Sequence, residues 1–575
     1  MHFLKSLWVL LPLALAQPCL AKCRCLPGDA CWPSAAAWSQ LNSTVDGRLI
    51  ATVPVGSPCH DPTYDAAACA EVQADWKLPQ LHFNSSSSVM QAYFANQSCD
   101  PFLAQSRPCV LGNYVSYAVK VSTSVQVAKA VKFATKHNIR LVVRNTGHEY
   151  VTSAARGISS DFCSYLGRST GAGALAIWTH HMKTTELVDW ADSVYTGPAF
   201  RVGAGVQGAD AVEAANAEGL TVVSGECPTV GLAGFTLGGG HSALSSSFGL
   251  GADQTLEFEV VTAAGNIVTA SAGENSDLYW ALSGGGAGNF AVVTAMTIRA
   301  HRTGTIGGAT LQMSVAGTNK TTFDTAVSRF HDLLPAMIDH GPTVVYYVTS
   351  AALVVKPITL VNSTGDYVRD TVLAPFLAVL AELGITPAVS FTTLSYRDHY
   401  DTYMGPLPYG HIGASEYQYG GRLIPRSVIE NDNAAFQKVI RNLTANGVIA
   451  VGSSGTFQRY AGVSNAVYPA WRTSIMSMQL ATAWDPTKWD AMIAMQKRIT
   501  NEFVPLISSV TPGSGAYMNE ANFNQPNWKE TFYGANWNRL LSIKNKWDPN
   551  GVLYNLKGVG SEAWTVAADG RMCKA

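Results

Sequence analysis

The sequence has no excess of either charge and no long apolar run beyond its first residues. It has 39 lysines and arginines against 40 aspartates and glutamates, and only 14% of its 575 residues are charged. Proteins that bind nucleic acid or an anionic membrane surface usually have an excess of basic residues, so neither partner is expected. No stretch after the N-terminus has the roughly 20 apolar residues of a spanning helix. A hydrophobic content of 47% is typical of a soluble globular protein with two or three domains.

Common ligand motifs are absent as well. There is no Walker A sequence, and no G-x-G-x-x-G between a strand and a helix with an acidic residue downstream. A C-x2-C pair, which would favour a zinc site, is also missing. No internal repeat or low-complexity segment stands out. Whatever this chain binds, the usual nucleotide and zinc signatures do not identify it, and we expect no metal.

The N-terminus has the pattern of a signal peptide. Lys5 precedes an apolar run that ends in small residues near Ala16. The run is too short to cross a bilayer, although a membrane anchor or a buried helix is the alternative. We expect residues 1–21 to be removed and the protein to be extracellular. Sequons of a secreted glycoprotein fit this expectation: Asn42, Asn84, Asn96, Asn319, Asn362 and Asn442.

The 11 cysteines divide into a set of eight suited to disulfide bonds and three others. An even set suits four disulfides in an oxidising compartment, and its members are Cys23, Cys25, Cys31, Cys59, Cys69, Cys99, Cys109 and Cys573. Their pairing cannot be deduced from the sequence, and zinc binding is the alternative. Cys19 leaves with the signal peptide, whereas Cys163 and Cys227 need separate explanations.

Three glycine-rich loops each adjoin a strand-like segment. The apolar stretches at 139–143 and 220–224 run into the loops at 144–148 and 225–240, and the loop at 283–288 leads into an alternating strand. A helix between the first strands is predicted to begin with Ser124 as its N-cap. Glycine lets the backbone approach a large ligand closely, so the three loops indicate one shared site. Ordinary tight turns are the alternative interpretation of any single loop.

Four motifs in order resemble one flavoprotein superfamily. They are R144-N-T-G-H148, the 225–240 loop with Cys227, D277-L-Y-W-A-L-S-G-G-G286, and the C-terminal Y517-M-N-E520 followed by the segment 533–555. Together they resemble the vanillyl-alcohol-oxidase/PCMH superfamily and, within it, secreted berberine-bridge-enzyme-like oxidases of a fungal type. The resemblance covers about residue 105 to the C-terminus.

The resemblance implies a role for the isolated cysteine. In that family a histidine and a cysteine in these motifs attach FAD covalently, which implies that His148 and Cys227 both hold the flavin. Two attachment points would fix the flavin ring rigidly against a substrate. The alternatives are an ordinary polar histidine in a loop and a free thiol.

Further cofactor contacts follow from the matched motifs. Val230 corresponds to a position that admits O2 in oxidases of the family, with core packing as its alternative role. The other residues implied to contact FAD are Arg144, Asn145, Thr146, Gly147, Gly225, Pro228, Thr229, Gly231, Gly234, Gly240, Val292, Val293 and Asn555.

One segment departs from the family pattern. Residues 151–165 interrupt a motif that would otherwise continue directly into residues 166–173, and they contain Cys163. They represent either an intron retained in the gene model or a real insertion beside the cofactor. Sequencing the transcript decides between the two.

The catalytic base is predicted less directly. Where many relatives have a second tyrosine in Y-x-N-Y, this sequence has Glu520. A buried carboxylate with a raised pKa can accept a hydroxyl proton. Tyr517 is the other candidate, and a surface ion pair is the alternative role for Glu520.

The fold class expected is α+β, a PCMH-type FAD-binding domain with a substrate domain whose large antiparallel sheet is backed by helices. The predicted boundaries are 1–21 for the signal peptide, 22–109 for a cysteine-rich segment, 110–305 for the FAD domain, 306–510 for the substrate domain, and 511–575 for a segment that returns to the FAD domain. Tyrosines between 343 and 424 suit a pocket wall or an ordinary core.

These patterns predict a monomeric FAD-dependent oxidase. Its substrates would be a small alcohol or phenolic molecule and O2, with hydride transfer to the flavin and release of H2O2. An oxidative cyclase or dehydrogenase of secondary metabolism is one alternative. A non-catalytic extracellular glycoprotein derived from such an enzyme is another.

Overall fold

A computed structural model describes residues 23–148 and 168–575. The predicted signal peptide, the segment 151–165, Cys19 and Cys163 lie outside the described residues. Within the described ranges, no helix combines the length and the apolar character needed to cross a bilayer.

Helices and strands are interspersed along the described chain, and the longest helices lie in its second half. The α-helices are α1 Ala35–Thr44, α2 Ala66–Asp75, α3 Pro79–Phe83, α4 Ala92–Ala95, α5 Ser124–Lys136, α6 Gly208–Ala217, α7 Leu232–Leu237, α8 Ser245–Phe248, α9 Ser276–Leu282, α10 Lys320–Asp339, α11 Gly365–Tyr367, α12 Ala374–Glu382, α13 Tyr396–Met404, α14 Arg426–Ala445, α15 Trp489–Arg498, α16 Val504–Ser509, α17 Trp528–Phe532 and α18 Trp537–Trp547.

The strands form three main sheets. The first has the order β1-β2-β4-β3 and the second the order β5-β6-β10-β8-β9, with β7 also paired to β10. The third has the order β14-β11-β13-β12-β16-β17-β15, and β18 and β19 form a separate pair. The strands are β1 Leu49–Ala51, β2 Tyr117–Lys120, β3 Leu141–Arg144, β4 Leu175–Trp178, β5 Thr185–Ala191, β6 Thr196–Gly203, β7 Thr221–Val222, β8 Thr255–Thr262, β9 Ile267–Ser271, β10 Ala291–His301, β11 Ile306–Ser314, β12 Thr343–Val348, β13 Ala352–Val361, β14 Ala388–Leu394, β15 Tyr417–Pro425, β16 Ile449–Ser454, β17 Ser474–Ala483, β18 Trp564–Val566 and β19 Met572–Lys574.

The first sheet is built around parallel strands and one crossover helix. β2 and β3 both run parallel to β4, and α5 connects β2 to β3. The predicted apolar face of α5, formed by Val127, Val131 and Ala134, is buried. The predicted N-cap is wrong by one residue: Thr123 has the extended backbone of a cap and accepts from the backbone of Gln126, so it caps the helix.

The third sheet is antiparallel throughout and has two different faces. One face packs in a hydrophobic cluster with α10, α12 and α14. The other face contributes Tyr419 and Ala481 to the large cluster that also contains Cys227. The α+β class and the large antiparallel sheet backed by helices are therefore confirmed, and the domain boundaries remain predictions.

The eight predicted cysteines form four disulfides. Three bridges are local, joining Cys25 to Cys31, Cys59 to Cys69, and Cys99 to Cys109. The fourth joins Cys23 to Cys573 across a separation of 550 residues. Disulfide use of this set is confirmed, and the last bridge ties both ends of the described chain to one place.

Candidate active site

A cavity lies where the loops after β3, β7 and β4 meet the start of β10. It contains about 880 Å³ of space outside protein atoms, part of which is open to solvent. Predicted cofactor residues line it: Asn145, Thr146, Gly147, His148, Val230, Gly231, Gly234, Val293 and Asn555. A concave, largely apolar site with a few polar groups is the usual form of a cofactor site.

His148 and Cys227 converge on one side chain in this region. The His148 Nε2 atom lies 2.7 Å from the Thr229 hydroxyl, and the Cys227 Sγ atom lies 3.4 Å from the same hydroxyl. All three residues are buried. Two side chains that are 79 positions apart in the sequence are thus brought to a common point at the cavity.

The first turn of α6 fixes the loop that carries Cys227. The backbone amides of Gly208 and Ala209 donate to the carbonyls of Val230 and Pro228, at 2.9 Å each. The Gln207 side chain donates to the Thr229 carbonyl at 2.6 Å. Because a helix N-terminus has unsatisfied amides, it can hold an irregular loop in one conformation.

Two glycines allow the first loop to approach its neighbours. Gly147 has a φ of +76°, and a Cβ atom there would lie 2.6 Å from the Arg144 guanidinium nitrogens. A Cβ atom at Gly231 would overlap the Asn145 amide. Gly147 therefore requires glycine for both conformation and space, whereas Gly231, whose φ is −72°, requires it for space alone.

The cavity contains polar groups suited to a phosphate-bearing cofactor. The Asn145 Nδ2 atom donates to the Ala204 carbonyl at 2.6 Å, whereas its Oδ1 atom is buried and makes no hydrogen bond within the described residues. Arg168 lines the cavity and adds a positive charge. A glycine-lined space, a cation and an unsatisfied amide oxygen fit a dinucleotide such as FAD.

Some predicted cofactor residues support the lining from outside it. Arg144 donates to the His82 carbonyl at 2.9 Å and packs under Gly147. The Gly225 carbonyl accepts from the Tyr400 hydroxyl at 2.6 Å. Val292 alternates to the opposite side of β10 from Val293 and packs in the cluster that buries α5. The full supporting set is Arg144, Gly225, Cys227, Pro228, Thr229, Gly240 and Val292.

Glu520 is buried beside two other titratable side chains. Its Oε1 atom accepts from the His241 Nε2–H at 2.6 Å. Burial raises the pKa of Glu520, and His241 offsets part of that rise. Burial also raises the pKa of Glu226, to about 8. The predicted surface alternative for Glu520 does not hold, because the side chain is only 1% exposed.

Tyr517 lies next to the same cluster. Its hydroxyl accepts from the Gly240 amide at 3.2 Å and from the Asn519 side chain at 2.8 Å. Its ring centroid is 5.5 Å from that of His241. Since Asn519 itself lines the cavity, the C-terminal motif connects the cavity to the buried acidic cluster.

Most of the tyrosines between 343 and 424 belong to the core. Tyr346 bonds His331 on α10 at 2.8 Å, on the helix-covered side of the third sheet. Tyr400, Tyr403 and Tyr419 are fully buried in the cluster that contains Cys227. The core interpretation of these aromatic residues therefore describes them best.

Sequence reasoning did not single out several residues of the site. Glu226 and His241 stand inside the glycine-rich motif, and only tertiary contact with Glu520 brings them to notice. Arg168 lies three positions after the end of the predicted insertion, and its positive charge was the available signal. Lining residues that were not predicted include Arg168, Ser169, Thr179, Ala204, Phe235, Gly288 and Asn519.

Two segments of the sequence match protein families, and the whole chain is similar to known oxidoreductases. Residues 115–271 match the family described as FAD binding domain, and residues 516–560 match the family described as berberine and berberine like. The FAD-linked oxidoreductase ZEB1 of Gibberella zeae is 48% identical over 570 residues, which cover 98% of this chain and 97% of the relative.

Solved structures extend the similarity to the fold. The VAO-type flavoprotein MtVAO615 from Myceliophthora thermophila C1 matches with a TM-score of 0.89 and 43% identity, over 96% of this chain and 100% of that chain. A glucooligosaccharide oxidase of Acremonium strictum, described with a 6-S-cysteinyl, 8α-N1-histidyl FAD, matches with a TM-score of 0.63 and 18% identity, over 78% of this chain and 92% of that chain. At that identity the likeness concerns the fold alone.

Proposed function

This chain belongs to the VAO-type FAD-linked oxidoreductases with a berberine-bridge-like C-terminal segment, and on that basis we propose that it is a secreted oxidase of alcohol groups. In this proposal FAD is attached covalently through both His148 and Cys227. The substrates are a small alcohol or phenolic molecule and O2, and H2O2 is released. The enzyme acts as a monomer.

The contact of His148 and Cys227 with one hydroxyl is the observation that carries the proposal. Their separations from Thr229 Oγ1, 2.7 and 3.4 Å, support the proposal, because one rigid planar group beside this hydroxyl could reach both the imidazole and the thiol. Both side chains must lose a proton to form a covalent bond, and the Thr229 hydroxyl can exchange protons with each. A cofactor held at two points is pre-organised for reaction.

The residues around the cavity have separate roles. FAD, when bound, supplies the hydride acceptor, and O2 as the final oxidant takes up the electrons to give H2O2. Arg168 and the backbone around Gly231 and Gly234 would hold its phosphates. Val230 leaves a short side chain on the cavity wall, which favours access of a molecule as small as O2.

Glu520 is the proposed base. It is buried and has a raised pKa, so its carboxylate is a better proton acceptor than an ordinary surface glutamate. His241 holds one carboxylate oxygen by a hydrogen bond of 2.6 Å, which orients the other oxygen. Tyr517, whose hydroxyl already accepts two hydrogen bonds, supports Asn519 at the cavity wall.

Secretion is proposed from the cysteine and asparagine positions. Four disulfides are typical of an oxidising compartment. Five sequon asparagines have exposed side chains, as an attached glycan requires: Asn84, Asn96, Asn319, Asn362 and Asn442.

A stopped-flow experiment with a panel of primary alcohols, secondary alcohols, oligosaccharides and phenols tests the function. Without oxygen, an active alcohol should bleach the flavin absorbance of the holoenzyme. On mixing with O2, the absorbance should return with one H2O2 per carbonyl formed. Bleaching without fast reoxidation would identify a dehydrogenase instead, and a ring-closed product would identify an oxidative cyclase. No bleaching by any class would contradict the proposed function.

A further inference from the structure

Glu226, His241 and Glu520 form one buried acidic cluster. They come from the loop before α7, the loop after it, and the C-terminal segment. Each side chain is at most 5% exposed. Glu226 directly precedes Cys227 in the sequence, and Glu520 follows Asn519, which lines the cavity. The cluster therefore adjoins the proposed flavin site from two sides.

The two carboxyl groups have unequal surroundings. Glu520 accepts a hydrogen bond of 2.6 Å from the His241 Nε2–H, and the neutral side chains of Gln479 and Ser477 on β17 also lie beside it. Glu226 is fully buried, and within the described residues neither of its oxygens has a hydrogen-bond partner. A buried carboxylate without a donor is far more costly than one bonded to an imidazolium.

The different surroundings of the two glutamates determine which groups of the cluster are charged. Burial alone would lower the pKa of His241, but Glu520 and Glu226 together raise it. Each of these three pKa values is shifted by the charge of at least one other member of the cluster. Among the described residues, the Tyr517 ring also lies beside that of His241. One imidazolium can balance one carboxylate, so the second carboxyl group is most stable as a neutral acid.

We propose that the two glutamates have different roles in the reaction. Glu520 is the ionised base that accepts the hydroxyl proton of the alcohol. Glu226 is a positioning residue that keeps its own proton, so that His241 remains bonded to Glu520 alone. This inference rests on the proposed oxidation of an alcohol.

Protons and electrons balance in the proposed step. The O–H bond of the alcohol breaks and its proton is transferred to the Glu520 carboxylate. The electron pair stays on the oxygen and forms the second bond of the carbonyl product as the carbon loses its hydride to the FAD acceptor. The proton is later consumed when O2 is reduced to H2O2.

Ionisation of Glu226 would disturb this arrangement. A second carboxylate would compete with Glu520 for His241 and would place another negative charge near the reacting oxygen. Since the pKa of Glu226 is raised to about 8, the wild-type rate should fall as pH rises through that value. A glutamine at position 226 is neutral at every pH and should not show this fall.

The first test is infrared spectroscopy of the holoenzyme, which needs no substrate. A buried, protonated carboxylic acid has a distinct carbonyl stretch. At pH 7 this band should be present in the wild type and in Glu71→Gln, an exposed control glutamate, and absent in Glu226→Gln. Glu226→Asp should restore it. A band that persists unchanged in Glu226→Gln would overturn the proposal.

The second test is the pH–rate profile with the best alcohol of the panel. Glu520→Gln should lower kcat by about 100-fold or more, as expected for loss of a general base. Glu226→Gln should lose the decline in rate near pH 8. Equal losses in both variants would make Glu226 the base and contradict the assignment. If no alcohol reacts, the proposed function fails, and the infrared result still decides the protonation of Glu226.

Discussion

Thr229 is the residue at which the two proposed attachment points meet. Its hydroxyl contacts the His148 ring and the Cys227 sulfur, and the Gln207 side chain fixes its carbonyl. The position of one small polar side chain thus sets the distance between two residues from different loops. At this scale the chemistry depends on a few atoms held by backbone hydrogen bonds.

Glu226 also determines how stability depends on pH. Burial raises its pKa to about 8 in the folded protein, from a usual value near 4.5. Between these values the unfolded chain has released a proton that the folded chain still holds, so stability falls as pH rises. Glu226→Gln should remove this part of the fall, up to about 1.4 kcal/mol per pH unit within that window.

Urea unfolding at several pH values from 5 to 8.5 measures this dependence. Glu71→Gln, with its exposed side chain, should follow the wild-type curve. Parallel curves for the wild type and Glu226→Gln would show that position 226 does not hold a proton in the folded state.

At this scale, the sequence predicted those parts of the candidate site that lie inside a recognisable motif. His148 and Cys227 belong to such motifs, and the structure brings them to one hydroxyl. The partner of Glu520 could not be predicted, because His241 is 279 positions away from it. Val292 was chosen with Val293 from the motif, although alternation along a strand puts neighbouring side chains on opposite faces.

Among the elements, the loop before β8 is tied to the loop before β17 by one buried carboxylate. Asp253 accepts two hydrogen bonds from the Arg472 guanidinium, at 2.6 and 2.9 Å. It also accepts from the Leu250 amide at 2.9 Å and the Asn465 side chain at 2.7 Å. This one side chain therefore joins the second sheet to the third.

Asp253→Asn should lower the free energy of unfolding by about 3 kcal/mol, since it leaves the Arg472 guanidinium, whose side chain is 12% exposed, without its counter-charge. Asp366→Asn breaks a surface pair with Arg369, in which the aspartate is 77% exposed, and should cost about 1 kcal/mol or less. Denaturant titration of both variants measures the difference. Similar losses in the two variants would contradict the role assigned to Asp253.

A helix with a clear apolar face could be predicted from the sequence, whereas the residue at which it begins depends on individual hydrogen bonds. The apolar face of α5 was evident, but its cap is Thr123 because Ser124 already has helical geometry and bonds Glu259 instead. The helical segment from Gly365 to Glu382 is likewise divided into α11, a π-helical turn at Val368–Val372, and α12. Pro375 lacks the amide that would continue the hydrogen-bond ladder across this point.

At the scale of the whole molecule, the third sheet closes over the region of the glycine-rich loops. One of its faces is covered by long helices, and the other joins the cluster that contains Cys227. The C-terminal segment brings Asn555 to the cavity and Glu520 to His241, beside the glycine-rich loops. The sequence could indicate the sheet, the loops and the C-terminal motif separately. Their positions relative to one another depend on the complete fold.

The bridge between Cys23 and Cys573 should contribute more to stability than a local bridge. Its loop spans 550 residues, whereas that of Cys25 and Cys31 spans 6. The entropy that a crosslink removes from the unfolded chain increases with loop length. Replacing Cys23 and Cys573 by serine should cost about 2–5 kcal/mol, and replacing Cys25 and Cys31 should cost less.

Guanidinium unfolding without reductant compares the two double variants. The pairing of Cys23 with Cys573 could not be predicted, because the spacing of the cysteines in the sequence does not indicate which of them are partners. A larger loss from the Cys25 and Cys31 variant would contradict the expected effect of loop length.

Mass spectrometry of peptides from the acid-precipitated protein tests the central claim most directly. The segments around 144–150 and 225–240 should be recovered joined through one FAD, and the precipitate should stay yellow. His148→Ala and Cys227→Ala should each keep one linkage, and the double variant should lose its colour on precipitation. Unmodified masses for both segments, with all pigment released by acid, would contradict the account.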